Sequence, residues 1–314
     1  MEIQEKMKRR KFLKGTAVCA ATVVSAGVAG KFAFNQYLKM IPQDTKRIFW
    51  KFGICSHTLF YILNREFGYL EENEERASDP LAGGLLNTGH QCGMLWGSTL
   101  AAGAESYRRH KDHDQAVAAA MAASQHLVGS FRKTAGTLNC REIIGSDFNN
   151  KLDAAKVLGK ALLSGIVNST CFNLAEKWAP EAIKSAKEGL SDIPTLTQPP
   201  MSCASEVAKR MGASDEEVVM VAGFAGGLGL SGNACGALGA AIWMNTLAWC
   251  RKNYWKSGYA NPNAEKILKA FSDETNSELL CQKISGQHFK TIIEHTEYLK
   301  NGGCDKLIDA LAQS

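Results

Sequence analysis

Proline is scarce in this 314-residue chain, and four of its seven prolines (Pro180, Pro194, Pro199, Pro200) crowd between residues 180 and 200. Elsewhere little stands in the way of continuous helix. Segments alternating apolar and polar residues are also lacking, which argues against a sheet. Net charge is +5, but the first fourteen residues hold six Lys/Arg against two Asp/Glu, so the remainder is close to neutral. A general nucleic-acid binder would need a basic face on the folded body, and none is encoded. No C-x-x-C occurs, which excludes a thioredoxin-like centre, and no C-x-x-C-H, which excludes covalent c-type haem. Phosphate-binding glycine loops and hydrolase nucleophile motifs are absent too, disfavouring nucleotide chemistry and hydrolysis.

What remains is a chain with 45% hydrophobic residues, enough for a sizeable core, and ten cysteines. The N-terminus reads as an address. Lys8-Arg9-Arg10-Lys11-Phe12-Leu13-Lys14 precedes an uncharged run of small and apolar residues, the pattern of a twin-arginine export signal over residues 1–30. Gly27-Val28-Ala29 offers a small-x-small cleavage site. Alternatively, residues 15–34 stay as a membrane anchor. Either way the expected location is the periplasm or cell envelope, where disulfides persist and where folded, cofactor-loaded proteins are delivered.

The body is a tandem duplication. Ala82-Gly83-Gly84-Leu85 to Gly89-His90-Gln91-Cys92-Gly93 recurs 143 residues later as Ala225-Gly226-Gly227-Leu228 to Gly232-Asn233-Ala234-Cys235-Gly236. Cys140-x2-Ile143-x-Gly145-x2-Phe148 recurs as Cys281-x2-Ile284-x-Gly286-x2-Phe289. Cys55 then matches Cys203, and Cys171 matches Cys304. The expected domains are 44–191 and 200–314, divided by the proline-rich stretch.

Periodicity predicts an all-α fold of two helical bundles, with helices over 47–67, 114–131, 152–165, 171–188, 262–271 and 288–300. Ser214 and Glu217 form a capping box, and Asp79-Pro80 supplies the matching cap in the first repeat. Residues 218–250 lack any charge, but seven glycines interrupt them, so a buried helix pair fits better than a membrane span. Trp243, Trp249, Tyr254 and Trp255 read as core or domain interface.

The chemistry is expected at the cysteines. Gly89 and Gly232 lead into Cys92-Gly93 and Cys235-Gly236 at a predicted helix start, where free N–H groups favour a thiolate, so Cys92 and Cys235 are the expected attacking thiols. Gly93 and Gly236 allow close approach of another sulfur, helix or cofactor. His57 and His90 each lie two residues from a motif cysteine but have Ser205 and Asn233 as counterparts, so they read as incidental. Cys19 reads as a small apolar filler, and Cys250, unmatched in the first repeat, as a buried filler or a spare thiol.

On these residues the chain resembles the redox-active C_GCAxxG_C_C family, as two fused copies over residues 53–310. The resemblance assigns the first family cysteine to Cys55 and Cys203, the Cys-Gly one to Cys92 and Cys235, and the trailing pair to Cys140 and Cys171 or Cys281 and Cys304. The motif is altered in each copy: Met94 replaces its alanine in the first, and Ala240 its last glycine in the second. Redox activity is implied, with an unnamed redox partner protein. Two mechanisms stay open. In one, each set of four thiolates holds a metal centre, an iron–sulfur cluster first among them, that passes electrons. In the other, the cysteines exchange thiols and disulfides without a cofactor. A transport-associated binding role is the third reading.

Overall fold

The computed structural model describes residues 44–146 and 165–314. The export signal, the run to Phe34, Cys19 and nearly all of the helix expected over 152–165 lie outside the described residues. Within them the chain is all-α, as expected, and its extended pairing is confined to two isolated bridges.

The first repeat contains α1 (Asp44–Phe52), α2 (Cys55–Phe67), α3 (Glu72–Ala77), α4 (Gly93–Arg109), α5 (His113–Ala135), α6 (Cys140–Ile144) and α7 (Thr170–Ser191). The second contains α8 (Cys203–Arg210), α9 (Asp215–Met220), α10 (Gly236–Lys252), α11 (Ala264–Thr275), α12 (Cys281–Ile284), α13 (Ile292–Lys300) and α14 (Asp305–Ala312). The single helix expected over 47–67 is two. Gly53 takes φ +70° and ends α1, and α2 starts afresh at Cys55. The capping box at Ser214 and Glu217 forms as expected.

The expected cap at Asp79 does not form. Asp79 opens a short 3-10 turn, but its carboxylate turns away to accept from Gly258 N and to meet His57. Among the aromatics, Trp243 is fully buried, whereas Tyr254 and Trp255 are exposed, so their assignment to core or interface is corrected. Among the described residues no helix is long and apolar enough to cross a membrane. The uncharged run 218–250 is instead cut into the end of α9, a 3-10 turn, a glycine turn and α10.

The two repeats interlock. α9 of the second repeat packs on α4 of the first, and α3 of the first packs on α10 of the second. Gly103 makes the first crossing possible, because a Cβ there would lie 2.5 Å from the Met220 carbonyl oxygen. Trp96 and Gly239, equivalent positions, meet at the seam: a Cβ on Gly239 would stand 2.5 Å from Trp96 Cζ3. Trp96 also packs edge-on against Phe224 at 4.7 Å. Gln91 spans the same seam, its amide donating to Gly227 O at 2.7 Å and accepting from Ala234 N at 2.9 Å. Ala234 is the position equivalent to Gln91, so the halves meet about a pseudo-twofold relation, with a large or polar residue on one side filling what a small one leaves open on the other.

At the rim Arg108 bridges Glu71 and Glu216, and Arg251 bridges Glu74 and Glu217. Burial, partly offset by Arg108, lifts the Glu71 carboxyl to about 7.

The seam gives a stability prediction. Gly239→Ala forces a methyl into the Trp96 ring and should cost about 1–3 kcal/mol in urea unfolding. An unchanged midpoint would show that the repeats do not meet as described.

Candidate functional site

All eight family cysteines stand at helix starts. Cys55 is the first residue of α2, Cys92 caps α4, Cys140 opens α6 and Cys171 is the second residue of α7. In the second repeat Cys203 opens α8, Cys235 caps α10, Cys281 opens α12 and Cys304 caps α14. Helix starts carry unpaired N–H groups and the positive end of the dipole, an environment suited to sulfur anions.

The structure brings each set together. Charge on Cys55, Cys140 and Cys171 bears on Cys92, and charge on Cys203, Cys235 and Cys304 bears on Cys281. All nine described cysteines are free thiols.

Two devices built from the repeated sequence place these sulfurs. The first is a one-residue antiparallel bridge between the Cys-Gly turn and the third cysteine's segment. Cys92 N donates to Leu138 O at 2.8 Å and Cys140 N to His90 O at 2.6 Å. The second repeat copies it, with Cys235 N to Leu279 O at 2.9 Å and Cys281 N to Asn233 O at 2.6 Å. Gly89 and Gly232, both at positive φ, admit the opposing segment. A Cβ on them would lie 2.8 Å from Arg141 Nε and 2.6 Å from His288 Cδ2 respectively.

The second device is a left-handed turn. Five successive residues, Gly83 to Asn87 and again Gly226 to Leu230, have positive φ. Non-glycine residues resist this conformation, so such runs persist only where surrounding structure enforces them. Here the turn aims the Gly83 N–H at the Cys55 sulfur, and the Gly226 N–H at Cys203.

The thiols then divide. A hydrogen bond from Cys92 holds the Cys55 thiol below its ordinary value against the opposing effect of burial, with help from the N–H groups of Gly83 and Ser56. Cys92, the donor of that bond, is held well above its own. Cys235 receives N–H groups from Leu238 and Ala237, as the helix-start reading requires, yet burial outweighs them and pushes it to about 12. In the first site the backbone N–H donors thus reach the first cysteine, Cys55, rather than the Cys-Gly one. Burial raises Cys140, Cys171, Cys203, Cys281 and Cys304 as well.

Gly93 and Gly236 differ in what they admit. A Cβ on Gly93 would lie 2.6 Å from Cys55 Sγ, whereas one on Gly236 would lie 1.8 Å from the Phe224 carbonyl oxygen, with no sulfur among its three nearest atoms. The retained motif glycine, Gly97, lets α2 cross at its own Ser56 carbonyl, 2.0 Å from a hypothetical Cβ.

Two polar partners escaped sequence reasoning. His57, read as incidental, pairs through Nδ1 with Asp79 Oδ1 at 3.0 Å, and both are buried. In the second site Tyr298 Oη lies 3.7 Å from Cys304 Sγ. Neither partner has a counterpart at the equivalent position, so the repeat pattern that exposed the cysteines could not expose them. Cys250 is fully buried, as expected of a filler.

Four thiols are the donor type an iron–sulfur centre uses. Among the described residues, however, no three His, Cys, Asp or Glu side chains are gathered so that they could hold one metal ion. The thiols as placed do not converge on a single metal ion.

The profile described as "Putative redox-active protein (C_GCAxxG_C_C)" matches residues 54–179 and again 201–314, and the chain belongs to this family as a tandem duplication. No curated protein and no solved structure matches the chain.

Gly93→Ala and Gly236→Ala should separate reactivity from packing. The first displaces the Cys55 sulfur and should slow iodoacetamide labelling of Cys55 at neutral pH by about tenfold, one unit of thiol pKa. The second should lower the unfolding midpoint and leave Cys55 labelling as in the parent, read by peptide mass spectrometry.

Proposed function

We propose that this redox-active protein works by thiol–disulfide exchange at the first site, with Cys55 as the attacking thiolate and Cys92 as the resolving thiol. The observation that carries the reading is the placement of the Cys55 sulfur against Gly93, the residue next to Cys92, where a Cβ would stand 2.6 Å from it; the Cys92 thiol and the Gly83 and Ser56 N–H groups hold Cys55 below its ordinary value. Cys55 is also partly exposed, whereas Cys92 is buried, the order in which an incoming disulfide would meet them.

Cys55 thiolate attacks one sulfur of a substrate disulfide, breaking its S–S bond and releasing one substrate thiolate, which takes a proton. Cys92 then loses its proton and attacks Cys55 Sγ. The Cys55–Cys92 disulfide forms as the mixed disulfide breaks and the second substrate thiol leaves. Two electrons and two protons pass from the protein dithiol to the substrate, and a dithiol partner restores the reduced pair by the reverse sequence. The twin-arginine pattern supports an exported protein, in a compartment where such disulfides persist.

The second reading is electron transfer through a cysteine-ligated metal centre. It is favoured by the gathering of four thiols in each repeat, and it requires those thiols to close further around the metal.

The test uses the aromatic disulfide 5,5′-dithiobis(2-nitrobenzoate) on the reduced native protein. The reading predicts two equivalents of thionitrobenzoate from the fast-reacting site and a Cys55–Cys92 cross-linked peptide. Cys92→Ser should release one equivalent and stall with the label on Cys55, and Cys55→Ser should lose the fast phase. Fast labelling that persists in Cys55→Ser would sink the proposal.

A further inference from the structure

The four motif cysteines of the second repeat are not equally placed. Cys203, Cys235 and Cys281 are buried, and Cys304 alone of the four is partly exposed. Its backbone is left-handed, with φ +63° at the cap of α14, whereas its counterpart Cys171 is an ordinary second residue of α7. A non-glycine residue resists that conformation and keeps it only where its surroundings enforce it. Here the enforcement is local. The end of α13 winds directly into the next loop, with Gly302 N donating to Leu299 O and Gly303 N to Tyr298 O, both at 2.9 Å. The chain thereby turns back on α13, and Cys304 Sγ comes to 3.7 Å from Tyr298 Oη.

Tyr298 is seated for this contact. Its ring lies on Gly303, where a Cβ would stand 2.3 Å from Cε1, and packs against the buried Phe289 with centroids 5.1 Å apart. The first site has no copy of the pair, because Gly165 stands before Cys171 at the same interval of six residues. Nor does the second site copy the sulfur placement of the first, since Gly236 meets Phe224 where Gly93 meets Cys55.

We infer that the second site has its own reactive thiol, Cys304, and that the Tyr298 hydroxyl is the hydrogen-bond donor that supports its thiolate. The two copies of the motif thus open at opposite ends, through the first cysteine in one and the last in the other. Burial and the Cys304 charge keep the phenol protonated, so in this pair the hydroxyl donates and the sulfur anion accepts. Burial, with the Asp305 charge, still holds the Cys304 thiol above its ordinary value against that bond, which makes it a slower thiol than Cys55. The substrate class is a small disulfide. Cys304 thiolate attacks one of its sulfurs and the S–S bond breaks; one half stays on Cys304 as a mixed disulfide, and the other leaves as a thiolate that takes a proton from water. The Cys304 sulfur is oxidised and the leaving sulfur reduced. Because the partner of Cys304 is a phenol and not a second thiol, the product is a mixed disulfide rather than an internal one.

The test follows iodoacetamide labelling of Cys304 against pH in the reduced full-length protein by peptide mass spectrometry, with Cys171, its partly exposed counterpart, as internal control. In the parent protein Cys304 should label faster than Cys171, and hydroxyethyl disulfide should leave one of its halves on Cys304. Tyr298→Phe keeps the ring and removes only the hydroxyl. It should slow Cys304 labelling at pH 8 by about tenfold, the weight of one hydrogen bond to an anion, and move its profile to higher pH. Cys171 and Cys55 should be unchanged. An unaltered Cys304 profile in Tyr298→Phe would overturn the inference, as would an equal shift at Cys171 or an adduct on Cys203 in place of Cys304. Cys55 belongs to the other site, so failure of the exchange reading there leaves this result standing.

Discussion

Everything in this protein depends on bringing helix starts together around sulfur. Eight cysteines stand at the starts of eight helices, and the segments between them fold so that four such starts meet in each repeat. Burying thiols opposes their ionisation, and in seven of the eight burial or the demand of a neighbouring sulfur wins. Cys55 is the exception because three kinds of donor reach it at once: the Cys92 thiol, the Gly83 N–H from the left-handed turn, and the N–H groups at the start of α2. Reactivity here is a matter of how many donors converge, not of helix position alone.

The strained turns and the seam follow from that requirement. Five positive-φ residues in a row are costly, and the repeat of the same run 143 residues later ties the cost to a common purpose, delivery of one N–H to the first sulfur. Holding such turns needs rigid support. The interlock supplies it, through Gln91 bridging to Gly227 and Ala234 and Trp96 filling the space above Gly239. Duplication also freed the halves to diverge. His57 and Asp79 pair only in the first half, and Tyr298 stands beside the thiols of the second.

The all-α class, the duplication and the eight cysteines were legible in the sequence because each is a pattern: periodicity, a constant offset, a residue type recurring in order. The capping box at Ser214 was legible for the same reason. The break at Gly53 was not, since the apolar period runs through it and only the backbone reversal ends α1. Asp79 was misread because Asp-Pro has the form of a helix cap, while its carboxylate serves a tertiary contact made by residues 257 and 258, far along the chain. Cys92 drew attention as the cysteine at a predicted helix start. That Cys55 also starts a helix, and that Cys92 donates to it, depends on how α2 crosses α4 at Gly93 and Gly97, which no local pattern encodes.

The central claim, that the first site is a cofactor-free dithiol, is tested most directly by purifying the protein anaerobically and measuring iron, zinc and labile sulfide beside a count of free thiols before and after mild oxidation. The account predicts no stoichiometric metal or sulfide and the reversible loss of two thiols, mapped to Cys55 and Cys92. Stoichiometric iron and sulfide, with visible absorbance that dithionite bleaches, would contradict it.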